Sequence, residues 1–293
     1  MAQDNAKGIA LMVLAMGAFA IADTLIKVSA NAISPSQVML ILTAGSLAFF
    51  IVLAKIQGET LRDVRAFTPV LLVRYAAEVI GFGAMVMALA TVPLSTVGAI
   101  LQASPLIVTL GAVLFLGERV SWRRWTAIIV GFLGVLMIVQ PGADGFETTV
   151  LWALLATTGL SIRDLVTRLT PPGLASSSLA AYTMAAAMPF ALAWVTLTGQ
   201  PFVPPDANWL FVVGMVGFGS IGYLILTLAI RMAEVSVVAP FRYSRLPFML
   251  VLGFLVFGER PSAAMLFGAA LIIGSGIYIM WRERQVKAET VNG

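Results

Sequence analysis

Cysteine and histidine are both absent from the 293 residues, and only 11% of the chain is charged. Without thiols or imidazoles the chain has no disulfide, no thiolate or imidazole metal site and no histidine-based catalysis. The pattern GxxxxGK[ST] is also missing, so a Walker loop does not couple ATP to whatever it does. Long polar stretches are lacking too, which leaves no room for a soluble catalytic or nucleotide-binding domain. The basic residues behind the net charge of +4 are scattered and form no continuous face for nucleic acid.

What is there is apolar. Hydrophobic residues make up 60% of the chain, and the mean hydropathy of +0.98 is far above that of ordinary soluble domains. Ten runs are each long enough to cross a hydrocarbon core of ~30 Å as helix. They start near residues 8, 35, 68, 94, 121, 149, 174, 208, 235 and 261. The expectation is an all-α integral membrane protein with ten transmembrane helices. Its partners are then the lipid bilayer and a small molecule that crosses it, with no cofactor, no metal, no nucleic acid and a monomer as the working unit. The first run, GIALMVLAMGAFAIA after Lys7, has the look of a secretory signal. A related segment at 149–163 lies mid-chain, so both read as true spans.

Lys and Arg near the span ends fall mostly on one side: Lys7; Lys55, Arg62 and Arg65; Arg119, Arg123 and Arg124; Arg163 and Arg168; Arg231; Arg282, Arg284 and Lys287. The other side has Lys27 and Arg260. The positive-inside rule makes the first side cytoplasmic, with both termini there. The acidic connections PGADGFE (141–147) and GQPFVPPDAN (199–208) then face outward, and Trp122 and Trp125 fit an interfacial belt.

Compared with itself at an offset of 141, the chain aligns over most of its length. Asp23 falls on Asp164, Ser36 on Ser177, Gly58 on Gly199, Gly81 on Gly222, Ala88 on Ala229 and Ser95 on Ser236; GERVS (117–121) falls on GERPS (258–262). The boundaries expected are residues 1–145 for the first five-helix repeat, 146–286 for the second and 287–293 for a cytoplasmic tail. Five spans is an odd number, so the second repeat enters the membrane from the opposite face. Such inverted repeats exchange conformations around a midplane site, which is alternating access.

Ten spans in two five-span repeats, each with a Gly-Glu pair after its fourth span (FLGERVSWRRW and VFGERPSAAML), resemble the drug/metabolite transporter superfamily of the EamA type. The resemblance covers essentially the whole chain. It implies a secondary carrier of the bacterial inner membrane, similar to exporters of amino acids, aromatic ones included. Export itself is implied by the resemblance alone.

The polar residues inside the spans must argue the cargo, since a charge at a helix centre costs about 2.5–3.5 kcal/mol on insertion scales. In VVAPFRYSRLPFMLV (237–251), Arg242 and Arg245 share a face and lie between Pro240 and Pro247, which remove helical hydrogen bonds and act as hinges. The expected environment is a hydrated cavity where the guanidinium groups meet a carboxylate. Pairing with membrane acids, or snorkelling, is the competing reading. The equivalent stretch of the first repeat, GAILQASPLIVTL, keeps a proline, Pro105, and sets Gln102 and Ser104 opposite Tyr243 and Arg245. These, with Glu78 and Tyr223, complete the expected substrate-binding set. Glu78 is within reach of Arg74 by an i,i+4 pair, of Arg242 or Arg245 across the cavity, or of a substrate amine. Asp23 with Lys27 and Asp164 with Arg168 form the same i,i+4 pair in each repeat, bordering each entrance as structural pairs, gate latches or a proton site. Arg163 reads equally as a topology charge. The glycines of GMVGFGSIG (214–222) suit close helix packing or a mobile gating helix. Glu118 and Glu259 are expected in turns and between helices, away from cargo.

A cationic drug or dye is the alternative cargo, though acids would then outnumber arginines at mid-depth. An intramembrane enzyme lacks any nucleophile–base pair.

Overall fold

The computed structural model describes residues 5–292 apart from 60, 62, 118–121, 142–146, 168, 170–173, 205–208 and 234. Among these residues every regular element is a helix, as an environment without water requires of spanning backbone. Nine helices are long and apolar enough to span a bilayer, and Trp125–Val139 is a shorter apolar helix. In chain order they are α1 (Asn5–Ala30), α2 (Pro35–Ile56), α3 (Pro69–Thr91), α4 (Leu94–Leu101), α5 (Ser104–Leu116), α6 (Trp122–Val139), α7 (Val150–Thr167), α8 (Ser176–Thr198), α9 (Trp209–Met232), α10 (Val235–Val238), α11 (Arg245–Phe257) and α12 (Ala263–Asn292). The fourth span is α4 and α5, interrupted at Gln102 and Ala103; Pro105 sits in the first turn of α5. The ninth is α10, a 3-10 turn over Ala239–Ser244, then α11. Both interruptions lie where the prolines remove backbone donors. Arg168, Glu118 and the loop residues 142–146 and 205–208 singled out in the sequence fall outside the described residues.

The duplication is visible in the backbone. Gly58, Gly117, Gly199 and Gly258 have φ of 69°, 67°, 59° and 67°, forming two pairs at the repeat offset. Each follows a helix, in the left-handed conformation that favours glycine. Packing follows the same pseudo-symmetry. α1 lies along α9 as α3 lies along α7, while α2 pairs with α8 and α6 with α12.

Small residues set these spacings. A Cβ on Gly159 would approach the Cα of Gly81 to 2.7 Å, so α3 and α7 cross nearly backbone to backbone. The equivalent crossing of α9 on α1 places Gly222 against Ala18, 3.3 Å from a Cβ built at Gly222. Membrane helices pack through dispersion and close approach, with no hydrophobic drive between them, so such contacts hold the bundle.

Two groups of helices emerge. One contains α1, α9 and the broken span α10–α11; the other contains α3, α7 and the broken span α4–α5. At the end of the bundle that carries Lys27 the groups touch: α1 packs on α3, and α11 on α4. Among the described residues the equivalent pairs at the opposite end, α7 with α9 and α5 with the segment from Val235 to Arg242, make no comparable contact. The bundle is closed at the Lys27 end and parted at the Asn5 end.

Gly159→Leu is therefore expected to force α3 from α7, at about 1–3 kcal/mol for overpacking, and to lower the melting temperature in detergent. Gly217→Ala, at a helical position with nothing within 4 Å of its Cβ site, should leave it unchanged.

Candidate functional site

The charged residues within the spans converge on the two breaks. Arg245, first residue of α11, donates from Nε and Nη2 to Asp23 Oδ2 of α1, at 3.1 and 2.5 Å. Its guanidinium also lies 5.3 Å from the Phe19 ring centroid. Asp23 is buried and the Arg245 side chain is 21% exposed. The geometry differs from two expectations: Asp23 meets Arg245 and not Lys27 one turn on, and in this conformation Arg245 is engaged by an acid of the protein.

Across the parting, Glu78 of α3 accepts from Arg163 Nη1 at 2.9 and 3.1 Å. Arg163 also reaches Asp164 Oδ1, from Nε at 2.9 Å and from Nη2 at 2.8 Å. Arg163 is thus the shared partner of two acids. Arg74 does not pair with Glu78; its Nε and Nη1 donate to the hydroxyls of Thr167 and Thr183 at 2.9 and 2.6 Å. Spacing of four residues made an intrahelical pair available, but interhelical partners compete because the helices approach so closely.

Arg242 differs from the other three arginines. Its side chain is 46% exposed, and Nη2 meets Asp164 Oδ2 at a loose 3.4 Å. The contact runs from the helix group of α1 to that of α7 on the parted side.

The neutral positions divide. Gln102 is buried at the end of α4 and donates to Gly98 O at 2.9 Å. Ser104 accepts from Ser161 of α7 at 2.9 Å between hydroxyls. Tyr223 stacks edge-on against Phe50, ring centroids 5.2 Å apart, and its phenol lies within electrostatic reach of Arg74, Glu78, Arg163 and Asp164. Tyr243 is placed elsewhere. Its buried hydroxyl has no hydrogen-bond partner and abuts Gly276 of α12, where a Cβ would collide with it. In this conformation Tyr243 is packing and not a ligand contact, because the 3-10 turn rotates it away from the arginine face. Of the glycines in α9, Gly214 and Gly222 sit against Leu25 and against Phe19 and Ala18 of α1.

Residues unnoticed as a unit close the Lys27 end. Lys27 Nζ donates to the carbonyls of Val92 at 2.7 Å and Leu89 at 3.2 Å, the C-terminus of α3. Glu259 accepts from the N–H groups of Leu94 and Ser95 at 2.6 and 2.8 Å and from the Ser95 hydroxyl at 2.7 Å, the N-terminus of α4. A cation on a helix C-terminus and an anion on the next N-terminus suit both helix dipoles. One corner of the second helix group is gripped by two side chains of the first. Glu259 is interhelical, as the sequence led one to expect. The signal for Lys27 was its isolation, almost alone among basic residues on its side.

A separate cavity of about 540 Å³ lies between α2, α3, α7 and α8, walled by Ile80, Trp152, Leu155, Phe190 and Trp194. None of the central charges lines it.

Paired arginines at a broken helix, between two inverted helix groups parted at one end, define a multi-pass membrane carrier of small molecules. The chain belongs to the EamA-like transporter family, whose model matches residues 6–140 and again 147–281. The second match begins 141 residues after the first (147 − 6), the offset at which the sequence repeats. Relatives include the S-adenosylmethionine uptake transporter of Rickettsia conorii, 25% identical over 78% of this chain and 76% of that protein. The riboflavin transporter of Rhizobium johnstonii is 31% identical over 72% and 70%. The pseudopaline exporter of Pseudomonas aeruginosa is 28% identical over 91% and 93%. A crystal structure with a TM-score of 0.60 covers 94% of this chain at 18% identity, a likeness of fold.

Lys27→Met removes two charge-assisted bonds, each worth about 1.5–3 kcal/mol. A cysteine at buried Gln102 should then react several-fold faster with an impermeant maleimide, applied from the side that labels an Arg260→Cys control. Unchanged labelling would remove the latch role.

Proposed function

We propose that the chain is a secondary transporter, and not an enzyme, that exports small carboxylate-bearing metabolites, above all amino acids including aromatic ones. It works by alternating access around the two broken helices of a bacterial inner membrane. With both termini cytoplasmic, the Asn5 end faces the cytoplasm and the structure is open inward. The observation that carries the reading is Arg242. Half exposed at a helix break and tied by one 3.4 Å contact, its fork of N–H donors has capacity for a second carboxylate. Four arginines face three acids in the central network, a surplus that favours an anionic group over a cationic dye. Relatives named for S-adenosylmethionine, riboflavin and pseudopaline agree with a small-molecule cargo, and one of those cargoes is built on an amino acid. The first contact is Arg242, with Tyr223, Gln102 and Ser104 lining the path and Glu78 holding Arg163 in place. Pro105, Pro240 and Pro247 serve as hinges. Asp164 and Asp23 anchor the arginine pair, and Lys27 latches the far end.

Counterflow in proteoliposomes with amino acids and cationic dyes tests this. Loss of a charged hydrogen bond is worth about 1.5–3 kcal/mol, so Arg242→Ala should raise KM for a carried amino acid roughly ten- to hundred-fold. Arg245→Ala should instead strand Asp23 as a buried unpaired charge, at about 3–5 kcal/mol of stability, and reduce the yield of folded protein. Wild-type transport of dyes alone would overturn the reading.

A further inference from the structure

The same contact constrains the cargo more sharply than a carboxylate alone. Asp164 Oδ1 is occupied by two bonds from Arg163, whereas among the described residues Oδ2 has only the long contact to Arg242. The carboxylate is partly exposed beside the half-exposed guanidinium. Good charge-assisted N–H···O bonds are about 2.7–2.9 Å long, so the 3.4 Å pair leaves spare donor capacity on Arg242 and spare acceptor capacity on Asp164. A carboxylate docking on Arg242 must therefore come within a few ångströms of the Asp164 oxygen. Two carboxylates sharing the one Arg242 guanidinium repel each other, and a cationic group on the cargo beside Asp164 offsets that repulsion.

Among the described residues the other arginines of the network are engaged elsewhere: Arg163 is spread across Glu78 and Asp164 Oδ1, Arg245 is paired with Asp23, and Arg74 is held by two threonines. Among the described residues the other carboxylates of the network are engaged, both Glu78 oxygens by Arg163 and Asp23 Oδ2 by Arg245.

Resting on the transporter reading above, we propose that Asp164 and Arg242 together form a zwitterion receptor. The carboxylate of an α-amino acid binds Arg242 and its ammonium, on the adjacent carbon, binds Asp164 Oδ2. The cargo replaces a loose protein ion pair with two oriented ones and adds no net charge to the site. Asp164 is thus a specificity-determining residue that rejects simple carboxylates and simple amines alike.

The test begins with the best-carried amino acid in counterflow, followed by competition from its deaminated acid and its decarboxylated amine. In the wild type both analogues should compete at least ten-fold more weakly, the worth of one charged hydrogen bond. Asp164→Asn should bring the deaminated acid to within a few-fold of the amino acid while the amine stays weak, and Asp164→Glu should restore discrimination. Should Asp164→Asn fail to fold, the wild-type competition decides by itself. Equal competition by the deaminated acid overturns the receptor but leaves carboxylate transport standing. Transport of neither acid nor amino acid overturns both.

Discussion

Four guanidinium groups are held inside the apolar bundle, and charge left alone there is costly. Each is therefore bonded to an acid or to hydroxyls, and those bonds decide which helices belong together. Arg245 joins α11 to α1 through Asp23, and Arg163 joins α7 to α3 through Glu78. Arg74 adds α8 to the second group through Thr183. The stronger bonds lie within each helix group, and the loosest, Arg242 on Asp164, runs between them. Apart from Arg242 and the grip of Lys27 and Glu259 at the closed end, the electrostatic satisfaction of each group is internal.

The two ends of the bundle are held by different forces. At one end Lys27 and Glu259 grip the corner between α3 and α4 by its free carbonyls and free amides. Those are strong contacts but few, of the kind that can be exchanged in a transport cycle. At the other end the equivalent helices have separated, and the long side chain of Arg242 is left bridging the gap. A pseudo-symmetric molecule with unequal ends is the expected resting form of an inverted-repeat carrier, since its two gates cannot both be open.

Much of this was legible in the chain. Apolar runs placed the ten spans, prolines at 105, 240 and 247 marked the two broken ones, and the offset of 141 with an odd number of spans required an inverted repeat. Placement within the apolar runs also told that Arg242, Arg245, Asp23, Glu78 and Asp164 lie on membrane-spanning segments. Partner choice was not legible. Spacing of four offered Asp23 to Lys27 and Arg74 to Glu78, and in both cases a residue from another helix prevailed.

The sequence by itself determined the number of crossings, their duplication and which spans carry each charge, because hydropathy and chain length act locally and the bilayer supplies the frame. Only the tertiary structure decided which charge meets which, whether Arg242 or Arg245 remains available, and that Tyr243 turns away. The reason is reach. Arg and Lys side chains select among partners by differences of an ångström or two, and those distances come from close crossings such as Gly81 on Gly159, between helices far apart in the chain.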